Sequence, residues 1–433
     1  MAPAAGLAGL AILLLLIALR MPIGLALGVV GIGGTWALLG WDTLVFALGS
    51  APVEAMSNFT LSVLPLFIFM GILAVKAGFA ESLYQAAYAF VGHRRGGLAI
   101  ASIVACGGFG AVSGSSLATV AAMGKLAVPE MLRYGYSRPL AAGSVATAGT
   151  VAILIPPSLP MIIYALLTEV SIGKLFAAGI LPGILAVLLY SLTTVAWMWL
   201  RPQDGPAGER MAWIDRLRAL GGVWGVVSIF LLVLGGIFGG LFSPTEGASV
   251  GAAGALLLGI LSGKIGWRAF VDAVSETVVL TAAILFVVIG VSLFSFFVTG
   301  AHFPQFLSET VGNLDLSKYL VLAIVVLLLI VLGCFLDVIA IVFVTTPVLF
   351  PIMRDLGFHP VWYGIVTMMV VEFGAVTPPI GMNIFVLAKQ LPQVSAAQAF
   401  KGIAPYLVAD TLRLLLIVAF PVIVLWLPGV FFQ

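Results

Sequence analysis

Charge is what this sequence has least of. Only 8% of its 433 residues are charged, against 62% hydrophobic, where a soluble domain carries about 25% charged residues. A solvated globular protein is excluded, and apolar runs of membrane-spanning length recur from end to end. Short alternating polar and apolar segments are missing, which excludes a membrane β-barrel. No basic tract stands out, so the net charge of +2 implies no nucleic-acid partner. The two cysteines, Cys106 and Cys334, are too few for a disulfide framework and read as buried free thiols. No P-loop occurs, so the chain is not itself an ATPase. The three histidines, His93, His302 and His359, are predicted near membrane surfaces. That leaves Ser113-Gly114 without a general base, sets aside an intramembrane serine hydrolase, and points to a protein that is not an enzyme.

What is present is an all-α polytopic membrane protein. Spans are predicted at about 3–19, 22–40, 55–76, 97–133, 139–168, 175–200, 221–241, 246–262, 276–298, 319–351, 361–388 and 403–428. No basic residue precedes the first apolar run and Arg20 follows it, so a retained membrane helix is expected rather than a signal peptide. Two double prolines interrupt spans: Ile155-Pro156-Pro157-Ser158 and Thr377-Pro378-Pro379-Ile380. Each ends a helix, and in hydrocarbon the freed carbonyls survive only inside protein or beside a polar cavity. Two long segments are broken by small or polar residues. One holds Gly107 through Ser116, ending Ser113-Gly114-Ser115-Ser116; the other holds Gly333-Cys334-Phe335-Leu336-Asp337. They read as re-entrant hairpins, the alternative being a pair of ordinary spans each.

The polar, Pro/Gly-rich stretch 201–210 splits the chain into halves that match at an offset of 222. Pro22 then meets Pro244, Pro129 meets Pro351, Pro156 meets Pro378, Pro157 meets Pro379 and Gly135 meets Gly357. An internal repeat accounts for this. Repeat 1 is 1–210, with scaffold helices at about 1–90, hairpin and broken helix at about 97–168 and a last helix at about 175–200. A cytoplasmic linker covers 201–220. Repeat 2 is 221–433, with scaffold helices at about 221–300, hairpin and broken helix at about 319–388 and a last helix at about 403–428. Each repeat has about five crossings plus one hairpin, and the odd number inverts the second copy. With both termini periplasmic, every lysine and arginine outside the spans falls on the cytoplasmic side except Lys174, Lys318 and Arg354.

The first tip, with Thr119 one turn on, supplies hydroxyls and carbonyls. The apposed break adds Thr150, Ala152, Ile155, Pro157 and Ser158. Hard cations take several oxygens, and helix N-termini facing the same gap suit a carboxylate. Tight helix packing by small residues is the competing reading. At the 222 offset Ser115 aligns with Asp337, Ala152 with Gly374 and Ile155 with Thr377, followed by Gly381 and Asn383. Asp337 lies deep in an apolar run, where a cation or a backbone cap would offset its insertion cost. Glu372 is expected either to hold the unwound backbone or to sit near an ion. Asp410 and Arg413, at i and i+3, read as an intrahelical ion pair, and Glu54, Glu246 and Glu276 as interfacial.

Met21-Pro22-Ile23-Gly24, the Ser-Gly-Ser-Ser tip, Ile155-Pro156-Pro157-Ser158, Phe242-Ser243-Pro244-Thr245-Glu246-Gly247-Ala248 and Thr377-Pro378-Pro379-Ile380-Gly381-Met382-Asn383 together resemble one family. It is the large, DctM-like membrane subunit of tripartite ATP-independent periplasmic (TRAP) transporters, and the resemblance covers essentially the whole chain. It implies an ion-transporter-superfamily-like elevator fold and sodium-coupled import of a small organic anion such as a dicarboxylate. It implies a separate four-helix membrane subunit, a periplasmic substrate-binding protein and the bacterial inner membrane. Sodium is the implied coupling ion, with no other metal or cofactor. The family's first sodium site maps onto Ser113, Ser115, Ala152, Ile155 and Pro157, and the second onto Gly333, Asp337, Gly374 and Thr377. Ala152 stands where glycine is expected, which a carbonyl ligand tolerates. Gly114, Ser116, Ser158, Pro379, Gly381 and Asn383 are the substrate-contact candidates. A fused small subunit ahead of the first repeat is not expected. A stand-alone divalent-anion/sodium symporter shares this plan, and dependence on a soluble binding protein separates the two.

Overall fold

The computed structural model describes residues 2–313 and 316–432; Met1, Leu314, Asp315 and Gln433 lie outside the described residues. Among those described the chain is all helix and turn, with no strand. The first half runs α1 (Ala2–Ala18), α2 (Ile23–Leu39), α3 (Trp41–Ser57), α4 (Val63–Lys76), α5 (Phe79–Val91), α6 (Gly97–Ser113), α7 (Ser116–Arg133), α8 (Arg138–Ala148), α9 (Leu159–Thr168) and α10 (Ile172–Leu200). The short α11 (Trp213–Gly221) lies almost wholly within the expected linker, 201–220, and makes its second half helical. The second half continues with α12 (Trp224–Phe238), α13 (Pro244–Leu261), α14 (Trp267–Gly300), α15 (Phe303–Asn313), α16 (Lys318–Gly333), α17 (Val338–Asp355), α18 (Pro360–Val376), α19 (Met382–Gln390), α20 (Ala396–Ala419) and α21 (Val422–Phe431). Among the described residues, seven helical segments are long and apolar enough to cross a membrane, or eight counting α11 and α12, which meet at a 47° bend.

Helix boundaries recur at the 222-residue offset. α7 and α17 start and stop at corresponding positions, as do the starts of α1 and α12 and of α8 and α18. Both double prolines are cis, and Gly135 and Gly357 have nearly equal positive φ, 81° and 80°. One difference is large: α14 is a single 34-residue helix, where the first half has α3, an Asn58-capped 3₁₀ turn and α4. Pro52 and Asn58 punctuate this stretch of the first half, and the corresponding stretch of the second has no such break.

Each long segment folds back so that its two ends meet. Leu98 N, at the start of α6, donates to the Tyr136 hydroxyl just past α7, at 3.1 Å. Beside α16 and α17, Tyr319 stacks edge-on to Phe358 with centroids 6.1 Å apart. Each segment is an antiparallel helix pair with its ends together, a shape that a re-entrant hairpin and a pair of ordinary spans share. Linker residues close the base of the first: Gly96 N donates to Gly205 O at 2.9 Å and Ser137 N to Asp204 O at 2.8 Å.

Several expectations need correction. α3, α5 and α15 were not expected as separate helices, because Asp42, Glu54, Glu81 and Glu309 dilute their hydropathy, and in α5 and α15 the apolar residues lie on one stripe. α14 begins at Trp267, well before the expected 276. The last span, expected as one helix, is broken at Phe420-Pro421 into α20 and α21, because proline cannot continue the backbone ladder. Glu246 is more than interfacial: it forms a capping box with Ser243 at the start of α13. Glu276 pairs with Lys76 at 2.8 Å, tying α14 to α4.

Close approach of backbones sets the packing. α2 crosses α14 at Gly24 and Gly290, where a Cβ on Gly290 would lie 3.1 Å from the Gly24 carbonyl carbon. Small residues at such crossings replace the hydrophobic drive that lipid removes. Cys106 and Cys334 are buried and free, as expected.

Candidate functional site

The first hairpin turns at Gly114-Ser115. Gly114 is left-handed (φ 61°), and a Cβ there would come 2.6 Å from the Pro157 carbonyl oxygen. Only glycine satisfies both demands, so the tip seats directly on the first proline break. Leu159 N completes the contact by donating to Gly114 O at 3.4 Å. Further down the same arm, Gly110 presses on Ala152 and Gly107 on Ile155. The second half repeats this: Gly333 of α16 packs on Gly374 of α18, where a Cβ on Gly333 would lie 2.8 Å from the Gly374 Cα.

Beyond each tip a side chain caps the returning arm. The Ser115 hydroxyl accepts from Ala118 N at 3.3 Å, and the Asp337 carboxylate accepts from Ala340 N at 3.0 Å. The caps sit at corresponding positions and both line one cleft. Gly114, Ser115, Ser116 and Leu117 come from the start of α7, Leu159 and Pro160 from α9, Asp337, Val338 and Ile339 from α17, and Met382 and Asn383 from α19, with Ile153 and Ala375 between. Four helix N-termini therefore end on a single cavity. Their unpaired amides carry partial positive charge. Asp337 is the one charged side chain in the lining, and no lysine or arginine joins it.

Orphan polar atoms surround the cleft. Both polar atoms of the fully buried Asn383 amide, and the hydroxyl of the fully buried Ser158, have no hydrogen-bond partner. A buried amide without partners costs about 1–3 kcal/mol, a cost that a bound polar ligand removes.

Of the expected site residues, Gly114, Ser115, Ser116, Asp337 and Asn383 line the cleft. Ser113 lies just behind, its hydroxyl bonded to Thr119 at 2.8 Å. Ala152, Pro157 and Ser158 are buried in the wall beneath the first tip, and Gly333 and Gly374 form the packed seam of the second. The Ile155 side chain points into the α6 and α10 glycines Gly107 and Gly183, and Pro379 is exposed outside the cleft. Thr377 is half-exposed, its hydroxyl donating to Phe373 O at 2.5 Å, while Gly381 caps α19 in a left-handed conformation. The first break is buried at Pro156, Pro157 and Ser158, whereas the second is exposed at Pro378, Pro379 and Ile380.

Glu372 does not hold the unwound backbone. It is 1% exposed and neither carboxylate oxygen has a hydrogen-bond partner, although Ser116 approaches it. Asp410 and Arg413 form the expected pair, 2.7 Å apart and buried. The sequence did not reveal the pair's third member: the Tyr190 hydroxyl donates to Asp410 Oδ1 at 2.5 Å and lies 3.4 Å from Thr150 of the first break. One tyrosine in an apolar helix carries no signal of its own. Nor do Leu117, Ile153, Leu159, Val338, Ile339 and Met382, the apolar part of the lining.

The oxygens near the tips, from Ser113, Ser115, Asp337 and Thr377, are of the kind that a hard cation takes.

Comparison with known proteins places this geometry. The family described as "Tripartite ATP-independent periplasmic transporter, DctM component" matches residues 10–423. The C4-dicarboxylate TRAP transporter large permease protein DctM of Pseudomonas aeruginosa is 36% identical over 380 residues, covering 87% of this chain and 88% of its own. The ectoine/5-hydroxyectoine TRAP transporter large permease protein UehC of Ruegeria pomeroyi is 34% identical, covering 86% and 87%. Among solved structures, the Alcanivorax borkumensis YdaH transporter superposes with a TM-score of 0.62 over 89% of this chain and 90% of its own. At 17% identity that likeness concerns the fold alone. With residues 10–423 matched and relatives of 34–36% identity covering 86–87% of its length, the chain belongs to the DctM component family of tripartite ATP-independent periplasmic transporters, a family of multi-pass membrane permeases.

Proposed function

We propose that this chain is the permease subunit of a sodium-coupled importer of a small organic carboxylate, delivered by a periplasmic binding protein and carried by an elevator motion. One observation carries the reading: four helix N-termini converge on one cleft that contains no cationic side chain. Helix N-termini attract a carboxylate. They leave the charge balance incomplete, because Asp337 adds a negative charge. A coupling cation supplies the missing positive charge. Ser113 and Ser115, with carbonyls of Ala152, Ile155 and Pro157, would hold one sodium; Asp337 and Thr377, with carbonyls of Gly333 and Gly374, would hold the other. The orphan polar atoms of Ser158 and Asn383, with Gly114 and Ser116, would take the substrate.

In this reading the halves 1–210 and 221–433 are inverted copies joined by a cytoplasmic linker, with both termini periplasmic in the inner membrane. The hairpins, broken helices and last helices move against a scaffold formed by residues of about 1–90 and 221–300. A separate small membrane subunit completes the scaffold. The test is uptake by the reconstituted three-part system. Transport is expected only with an inward sodium gradient and the binding protein present. Equal uptake with sodium replaced by choline would remove the coupling ion from the mechanism. Equal uptake without the binding protein would favour a stand-alone symporter.

A further inference from the structure

Away from the cleft, α10 and α20 leave a second opening that encloses about 1610 Å³. Its walls are apolar: Leu189, Leu192 and Leu200 on one side, Val408 and Leu412 on the other. Four of these are strongly exposed, Leu200 at 83% and Val408 at 70% among them. The two helices run antiparallel, so the groove has distinct ends. Arg201 and Lys401 stand together at one, Leu189 and Leu412 at the other. From Leu189 to Arg201 the helix rises ~18 Å at 1.5 Å per residue. One leaflet of hydrocarbon is ~15 Å, half of a ~30 Å core. The groove is thus one leaflet deep, apolar along its length and basic at its mouth.

The charges at the mouth are unspent. Arg201 and Lys401 are exposed, and neither forms an ion pair among the described residues. Asp204, the acid at the same rim, is engaged by the Trp197 indole N–H at 2.8 Å. Exposed Arg138 adds a further positive charge beside Ser137 and Pro139 of the rim.

We infer that the α10–α20 groove is a binding site for an anionic phospholipid, with an acyl chain along the leucine wall and the phosphate between Arg201 and Lys401. Basic pockets between membrane helices suit such headgroups, and depth, polarity and charge agree here on a single occupant. The site does not rest on the transport reading, because its lining includes none of the cleft residues.

The experiment uses the full chain in nanodiscs of phosphatidylcholine doped with phosphatidylglycerol, followed by native mass spectrometry of the extracted protein. Wild type is expected to retain phosphatidylglycerol in preference to phosphatidylcholine. The double variant Arg201→Ser/Lys401→Ser is expected to retain it about 30-fold less, from roughly fivefold per basic residue. Leu192→Trp, which fills the groove and keeps both charges, is expected to lose the bound lipid as well. Lys174→Ser/Arg354→Ser, remote from the groove, is expected to behave as wild type. Equal retention of the two lipids by wild type, a comparison that needs no variant, would overturn the site. So would undiminished retention in Arg201→Ser/Lys401→Ser. Efficient cross-linking of Leu192→Cys to the small membrane subunit would make the groove a subunit interface instead.

Discussion

Ser115 and Asp337 perform the same local task with different chemistry. Each ends a tip, caps the returning helix with a side-chain oxygen and lines the cleft. Removing the oxygen therefore has two consequences that can be measured separately. Loss of a cap costs about 1 kcal/mol of stability. Loss of a bond to a charged ligand costs about 1.5–3 kcal/mol, roughly a tenfold to hundredfold rise in the sodium needed for half-maximal uptake. Ser115→Ala and Asp337→Ala are each expected to show both, with expression and assembly intact; normal sodium dependence in both variants would refute the site. The buried Asp410–Arg413–Tyr190 group gives a different outcome. Arg413→Met strands a buried carboxylate and is expected to cost about 3–5 kcal/mol in a thermal-shift assay. Asp410→Leu/Arg413→Met removes both charges and is expected to recover much of that loss. The pair itself was legible from its i, i+3 spacing. Its tyrosine partner was not, because Tyr190 meets Asp410 only through the packing of α10 on α20.

At the level of elements, the sequence was most legible where backbone chemistry is written into residue type. Proline pairs and Gly/Ser tips mark places where a helix has to stop, so both breaks and both hairpins could be read directly. The amphipathic α5 and the punctuated α3 escaped, since a span search rewards uniform hydropathy. The apolar half of the cleft lining escaped for a related reason. Leu159, Val338 and Met382 are ordinary residues in an apolar chain, and only the meeting of four helix ends selects them. The hairpin geometry makes its own prediction. Cysteines placed at residues 97 and 133 are expected to react with a membrane-impermeant maleimide from one and the same side; labelling from opposite sides would make the segment a single crossing and refute the hairpin. Seam packing gives another. Gly333→Leu would force α16 off α18 at Gly374, and is expected to abolish uptake while the protein still assembles with its partners.

Taken whole, the molecule has contacts of two kinds. Lys76–Glu276 joins α4 to α14, both within the proposed scaffold. Phe67 of α4 instead stacks on Phe176 of α10 with centroids 5.9 Å apart, across the proposed sliding boundary. Cross-linking Lys76→Cys to Glu276→Cys is expected to leave uptake largely unchanged. Cross-linking Phe67→Cys to Phe176→Cys is expected to stop it until the bond is reduced. Uptake that survives complete cross-linking of the second pair would rule out the elevator.

The unequal burial of the two proline breaks has a pharmacological consequence. A small molecule can reach Pro378, Pro379 and Ile380 without displacing any element of this chain, whereas Pro156 and Pro157 are sealed beneath the first tip. In the proposed elevator, a compound shaped to that exposed turn would act as a doorstop, arresting the carrier when added to one compartment and leaving it untouched when added to the other.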